Sequence, residues 1–104
     1  MTQFVYLCSQ EKYIWRNNDW VANQQNTAWT TSVFADYQTA KRTIQHDYEY
    51  SFGNVDTKTN RKFLKPYDVE QLKQEAVVGR VEVYWSYFGE KYKMVYCLTK
   101  KFLI

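Results

Sequence analysis

The spacing of apolar and polar positions changes its period along the chain. Phe4 to Cys8 is a short aromatic and β-branched run. It is interrupted at Ser9-Gln10-Glu11-Lys12 and resumes at Tyr13-Ile14-Trp15, which reads as two strands joined by a hairpin loop. Asn17-Asn18-Asp19 is a turn signal, because Asn and Asp tolerate left-handed backbone and bond to it locally. Trp20 and Val21 suit a further short strand or the edge of a loop. Asn23 to Asn26 is polar without period, and Thr27 to Phe34 is the third expected strand.

From Asp36 the period is helical. Tyr37, Ala40, Ile44, Tyr48 and Phe52 recur at spacings of three and four and so share one face of a helix. Asp36 is its expected N-cap and Gly53-Asn54 its left-handed stop. Residues 53 to 66 show no apolar period and read as a polar connection. A shorter helix is expected from Asp68 as N-cap, with Gln71 as a capping-box variant and Tyr67 against Leu72 as a hydrophobic staple. Val69, Leu72 and Ala76 would form its buried face, and Gly79 would close it.

Arg80 to Phe88 alternates again, and Gly89-Glu90 fits a type II′ turn. Counting outward from that turn pairs Tyr87 with Tyr92, Trp85 with Met94, Val83 with Tyr96 and Val81 with Leu98. All of these are large and apolar, and a slip of one residue would mix the two faces. The expectation is one α+β domain over residues 1–104. It holds an antiparallel sheet of about five strands and two helices, in the order βββααββ, with a C-terminal β-hairpin at 80–102.

Composition narrows the function. Lys and Arg total 14 against 11 Asp and Glu, a net charge of +3, which excludes an acidic mimic of DNA without by itself making a nucleic-acid binder. Aromatic residues are 19% of the chain, too many for a disordered segment. No signal peptide and no apolar run of membrane-spanning length is visible. Cys8 and Cys97 match no zinc or thioredoxin spacing, and two cysteines in a chain this small point to a reducing cytoplasm. Both are expected as buried strand residues, even as neighbours on one sheet.

Catalytic chemistry has little to build on. His46 is the only histidine, and a surface or half-buried helix position explains it more simply than catalysis. Glu82 lies within an otherwise apolar strand, which an outward-facing position accounts for. No Gly-rich phosphate loop exists among the three glycines, and no cofactor or metal is expected. A small enzyme using Glu82 or His46 is the third alternative.

The stronger signal joins basic and aromatic residues. Lys58, Arg61, Lys62 and Lys65 fall within eight residues, and residues 53–65 carry a net +3. Lys91, Lys93, Lys100 and Lys101 form a second group at the C-terminal hairpin. Such groups neutralise phosphates, while exposed Tyr and Trp stack on unpaired bases or anchor protein interfaces. Solvated lysines guarding an edge strand are the plain alternative. Ten Tyr exceed what a core this small needs. Several of Tyr13, Tyr48, Tyr50, Tyr84 and Tyr87 are therefore expected to be partly exposed, and with Trp15, Trp20 and Trp29 they would make an adhesive surface. The residues selected as a macromolecule-binding site are Lys58, Arg61, Lys62, Lys65, Tyr84 and Lys93.

The N-terminal half carries Phe4-Val5-Tyr6-Leu7, Tyr13-Ile14-Trp15, Trp20, and Ala28 to Phe34 running into Ala35-Asp36-Tyr37-Gln38-Thr39-Ala40-Lys41. This half resembles a pattern found in small, mostly uncharacterised proteins of phages and mobile elements of Gram-positive bacteria. The resemblance implies a protein that binds host machinery, since some proteins of this type are anti-CRISPR inhibitors of Cas nucleases. The expected function is thus a non-enzymatic inhibitor of a host protein or protein–nucleic-acid complex, a Cas nuclease being the most specific form. A small nucleic-acid-binding or transcription-regulating module is the alternative. Self-association through a free strand edge is a further expectation.

Overall fold

The computed structural model describes residues 3–22 and 32–103. Its elements are β1 (Gln3–Arg16), β2 (Asp19–Ala22), β3 (Ser32–Phe34), α1 (Tyr37–Phe52), β4 (Lys58–Phe63), α2 (Pro66–Gln71), β5 (Ala76–Tyr87) and β6 (Glu90–Leu103). The fold is α+β, with two helices against one six-stranded antiparallel sheet. The sheet runs β2-β1-β6-β5-β4, with β3 also paired to β1. The order is therefore βββαβαββ, and the additional strand is β4, inside the expected polar connection. Five of its six residues are exposed, so no apolar alternation marks it. Backbone pairing with β5, from Lys58↔Tyr84 to Phe63↔Gly79, makes it a strand.

Ser9 to Lys12 is not a hairpin loop. β1 continues through it, paired with β6 from Gln3↔Leu103 to Ile14↔Tyr92. Ser9 and Glu11 lie on one face and Gln10 and Lys12 on the other, the alternation of a strand inside a sheet. The expected turn at Asn17-Asn18 is present, with φ of 51° and 62°, the two positive values of a type I′ hairpin. Trp20 and Val21 do form a strand, β2. Of the third expected strand, Ser32 to Phe34 is β3. Asn23 to Asn26, Thr27 to Thr31 and Trp29 lie outside the described residues.

α1 follows its apolar stripe: Tyr37, Ala40, Ile44 and Tyr48 are buried, and Phe52 packs against that core. Asp36 caps it by accepting hydrogen bonds from the Thr39 backbone N–H and hydroxyl, both at 2.9 Å. Gly53 is the C-cap but is right-handed, at φ −60°, so it is no left-handed stop.

α2 begins two residues earlier than Asp68, with Pro66 in its first turn and Lys65 as N-cap. Proline fits there because its fixed φ suits a helix and its missing N–H would have no partner. α2 ends at Gln71, so Ala76 and Gly79 belong to β5. Gly79 is needed for another reason: a Cβ there would lie 2.4 Å from Cδ1 of Phe63. The register shifts between Val77 and Gly79, where Val78 turns into the core.

The C-terminal hairpin also turns one residue earlier than expected. Phe88 and Gly89, at φ 48° and 77°, form a type I′ loop closed by Tyr87↔Glu90. Trp85 accordingly faces Tyr92, Val83 faces Met94 and Val81 faces Tyr96. Each partner moves by two positions, so every residue keeps its expected face. The strands are long, about 48 Å for fourteen residues, and the molecule measures 52 × 24 × 21 Å.

Candidate macromolecule-binding face

Alternation along the strands divides the sheet into a covered face and an open one. Tyr6, Val81, Val83, Tyr96 and Leu98 point toward α1 and α2 and form the core with Ala40, Ile44 and Val69. The opposite face carries neither helix. One row crosses four strands on that open face: Lys58 on β4, Tyr84 on β5, Lys93 on β6 and Tyr13 on β1. The next row is Asn60, Glu82, Val95 and Glu11, and the one after it Lys62, Arg80, Cys97 and Ser9.

Trp20 completes the first row from above. Its ring lies 5.1 Å from that of Trp15 and 6.0 Å from that of Tyr84. The Lys93 ammonium sits between two rings, 4.9 Å from the centroid of Tyr13 and 5.0 Å from that of Trp20, a paired cation–π contact. Tyr13, Trp15, Trp20, Tyr84 and Lys93 are all half-buried, so their edges remain in contact with solvent.

The two carboxylates of this face are already engaged. Glu82 accepts a hydrogen bond from the Tyr84 hydroxyl and another, at 2.9 Å, from Nε of Arg80. These bonds hold its pKa below the usual carboxylate range and raise that of the Tyr84 phenol. Glu11 accepts from the Tyr13 hydroxyl, which pushes that phenol up to about 12. Arg80 offsets the charge of Glu82, and the exposed cations Lys58, Lys62 and Lys91 outnumber Glu11 and set the sign of the surface.

Two shallow clefts indent it. One, of about 460 Å³, is lined by Trp20, Asp56, Thr57, Lys58, Tyr84 and Lys91 among others. The other, of about 350 Å³, lies between Asn60, Lys62, Arg80 and Glu82.

Of the six residues selected from sequence, Lys58, Tyr84 and Lys93 stand side by side and Lys62 shares their face. Arg61 does not. Its odd position turns it to the covered face, where Nη1 donates to the Tyr48 hydroxyl at 2.6 Å and the guanidinium lies 5.9 Å from that ring. Lys65 is the N-cap residue of α2, beyond the end of β4 and outside the strand rows, and its side chain makes no capping bond.

Lys100 is also misplaced among the exposed lysines. It is 3% exposed, and Nζ donates to the carbonyls of Val69 at 2.7 Å and Leu72 at 3.0 Å. Burial lowers its pKa. It serves the end of α2, adding a second donor to the Val69 carbonyl, which also accepts the Leu72 N–H at 3.3 Å, and supplying one to the Leu72 carbonyl beyond the helix. Tyr48 is likewise buried, whereas Tyr50 and Tyr87 are exposed.

Tyr13, Trp20 and Arg80 belong to the open face but were not selected. Reading Ser9 to Lys12 as strand would have placed Tyr13 in phase with Glu11 and Ser9. The distant pairing that brings it beside Lys93 has no local signal.

Cys8 and Cys97 lie on adjacent strands, opposite Leu98 and Ser9 respectively. They point to opposite faces, both are free and both are half-buried rather than buried. Burial pushes the Cys8 thiol up to about 11. His46 is exposed on α1. Among the described residues no three His, Cys, Asp or Glu side chains converge as metal ligands would, and no helix is long and apolar enough to cross a membrane. Compared with family models, curated proteins and solved structures, the chain matches none.

Proposed function

We propose that this chain is a non-enzymatic binding protein of a phage or mobile element, which inhibits a host macromolecule by docking through the open face of its sheet. The observation that carries the reading is the row Lys58, Tyr84, Lys93 and Tyr13, closed above by Trp20. Aromatic rings held by ladder pairing lose little freedom on binding, and the lysines beside them steer an acidic or nucleic-acid-bearing partner. Glu82 supports binding rather than proton transfer. Held as a carboxylate by Tyr84 and Arg80, it is a poor acid at neutral pH. The most specific form, inhibition of a Cas nuclease within a protein–nucleic-acid complex, rests on the resemblance of the N-terminal half.

A pull-down from bacterial lysate, with and without nuclease treatment, tests the reading. Alanine at Lys58, Tyr84 and Lys93 together is expected to abolish capture of the partner while the circular dichroism spectrum is retained. Alanine at Arg61 and Lys65, which lie off the face, is expected to leave capture intact. Equal capture by both variants would move the site elsewhere.

A further inference from the structure

The nature of the partner surface follows from the charge and relief of the open face, taking as given that this face is where docking occurs. Protein interfaces keep charged side chains at their rim and deplete them at the centre. Here the centre is charged: Lys93 on β6 and Glu82 and Arg80 on β5 occupy the middle strands, with Lys58 beside them on the edge strand β4 and rings between them. Ammonium and guanidinium groups interleaved with Tyr and Trp on one continuous surface suit unpaired bases joined by phosphates.

We propose that the open face binds single-stranded nucleic acid along β4 and β5. A base enters the cleft beside Trp20 and Tyr84, and the phosphates that follow run along Lys58, Lys62 and Arg80. The two clefts follow each other along these strands. Lys58 and Lys62 are four residues apart, a separation of roughly 13 Å along a strand. That is several times the rise of about 3.4 Å between stacked nucleotides, so the track suits an oligonucleotide rather than one phosphate. Glu82 adds little repulsion because Arg80 is paired with it, and Glu11 lies on β1, two strands away from the β4–β5 track. Asp56 lines the first cleft beside Lys58 and is the acid that a passing strand's phosphates must avoid. A duplex, with its bases already stacked and paired, has no ring to offer the cleft.

Fluorescence anisotropy of labelled oligonucleotides of about twelve residues, within the span that small sheet modules occupy, tests this. Oligouridylate and oligothymidylate are the probes, with a duplex of equal length as control. Single strands are expected to bind at least about five-fold tighter than the duplex. Affinity should fall with salt at a slope of about −0.7 for each phosphate neutralised. Lys58→Ala with Lys62→Ala should flatten that slope, while Tyr84→Leu should weaken binding at an unchanged slope. The two probes distinguish RNA from DNA, and a preference for either supports the proposal.

Cys97 supplies a readout independent of the substitutions. Its alkylation should slow when an oligonucleotide is bound, while Cys8, on the covered face, keeps its rate. No binding of either strand, equal binding of the duplex, or unprotected Cys97 would overturn the proposal. If a lysate protein is still captured after nuclease treatment while oligonucleotides fail, the docking face stands and its nucleic-acid occupant falls. If both fail, the docking reading falls with it.

Discussion

Lys93 and Lys100 lie seven residues apart on β6, and odd spacing in a strand puts them on opposite faces. Lys100 is sealed under α2 and spends its donors on two carbonyls. Lys93 remains half-buried between Tyr13 and Trp20 on the face without helices. The same division separates the rings. Tyr96 and Tyr48 lie within the core, while Tyr13 and Tyr84 bond carboxylates of their own face. One composition thus serves two purposes, and period-two alternation decides which residue serves which. Covered-face residues build the core, while the open face keeps half-buried rings and exposed lysines within reach of solvent.

Substitutions at the two lysines break this comparison most directly. Lys100→Ala leaves the Leu72 carbonyl without its donor and the Val69 carbonyl with only the 3.3 Å bond from the Leu72 N–H, and should cost about 1–3 kcal/mol in urea unfolding. A loss below about 0.5 kcal/mol would show that α2 does not depend on it. Gly79→Ala comes next. Its Cβ would meet the Phe63 ring, and overpacking of this kind costs about 1–3 kcal/mol. Phe63→Leu in the same chain should recover part of the loss, and absence of any recovery would place the strain elsewhere. Lys93→Ala is the smallest, at under about 1 kcal/mol for its partly exposed cation–π contacts, although it should abolish partner capture.

Titration sharpens the same contrast. The phenols of Tyr6, Tyr37 and Tyr96 are raised chiefly by burial, those of Tyr13 and Tyr84 chiefly by hydrogen bonds to Glu11 and Glu82. A group whose folded pKa lies above its unfolded value stabilises the fold below the unfolded value, and that stability is lost as pH rises through the folded one. Stability should therefore decline above about pH 10. Glu11→Gln and Glu82→Gln should return the two open-face phenols toward ordinary titration, followed by phenolate absorbance, without moving the covered three. Glu82 has the opposite sign. Its lowered pKa gives stability that is present above about pH 4.5 and lost as pH falls through the folded value.

Legibility followed the range of the interaction. The α1 stripe, the Asp36 cap and the Asn17-Asn18 turn were readable because each is settled within a few residues. Which face each residue of the C-terminal hairpin occupies was readable as well, and it survived a wrong turn type because the pairing moved by two positions. β4 was not, since its pattern is polar throughout and its strand character comes from β5. Ser9 to Lys12 looked like a loop because polar residues on both faces erase the alternation, although twelve consecutive pairings with β6 hold β1 extended there. For the candidate site, the choice of Lys58, Tyr84 and Lys93 rested on residue type, and adjacency came from a register no local window contains.

Residue order alone determined the class of the fold, the long amphipathic helix and an abundance of rings and amines beyond what the core absorbs, since propensity and period act locally. Tertiary structure decided the rest. It put Arg61 and Lys100 among the structural groups, and it gathered Tyr13, Trp20, Tyr84 and Lys93 from four strands into one surface. The physical reason is that a strand's side-chain direction is local, whereas its neighbours are set by backbone pairing across the whole length of the chain.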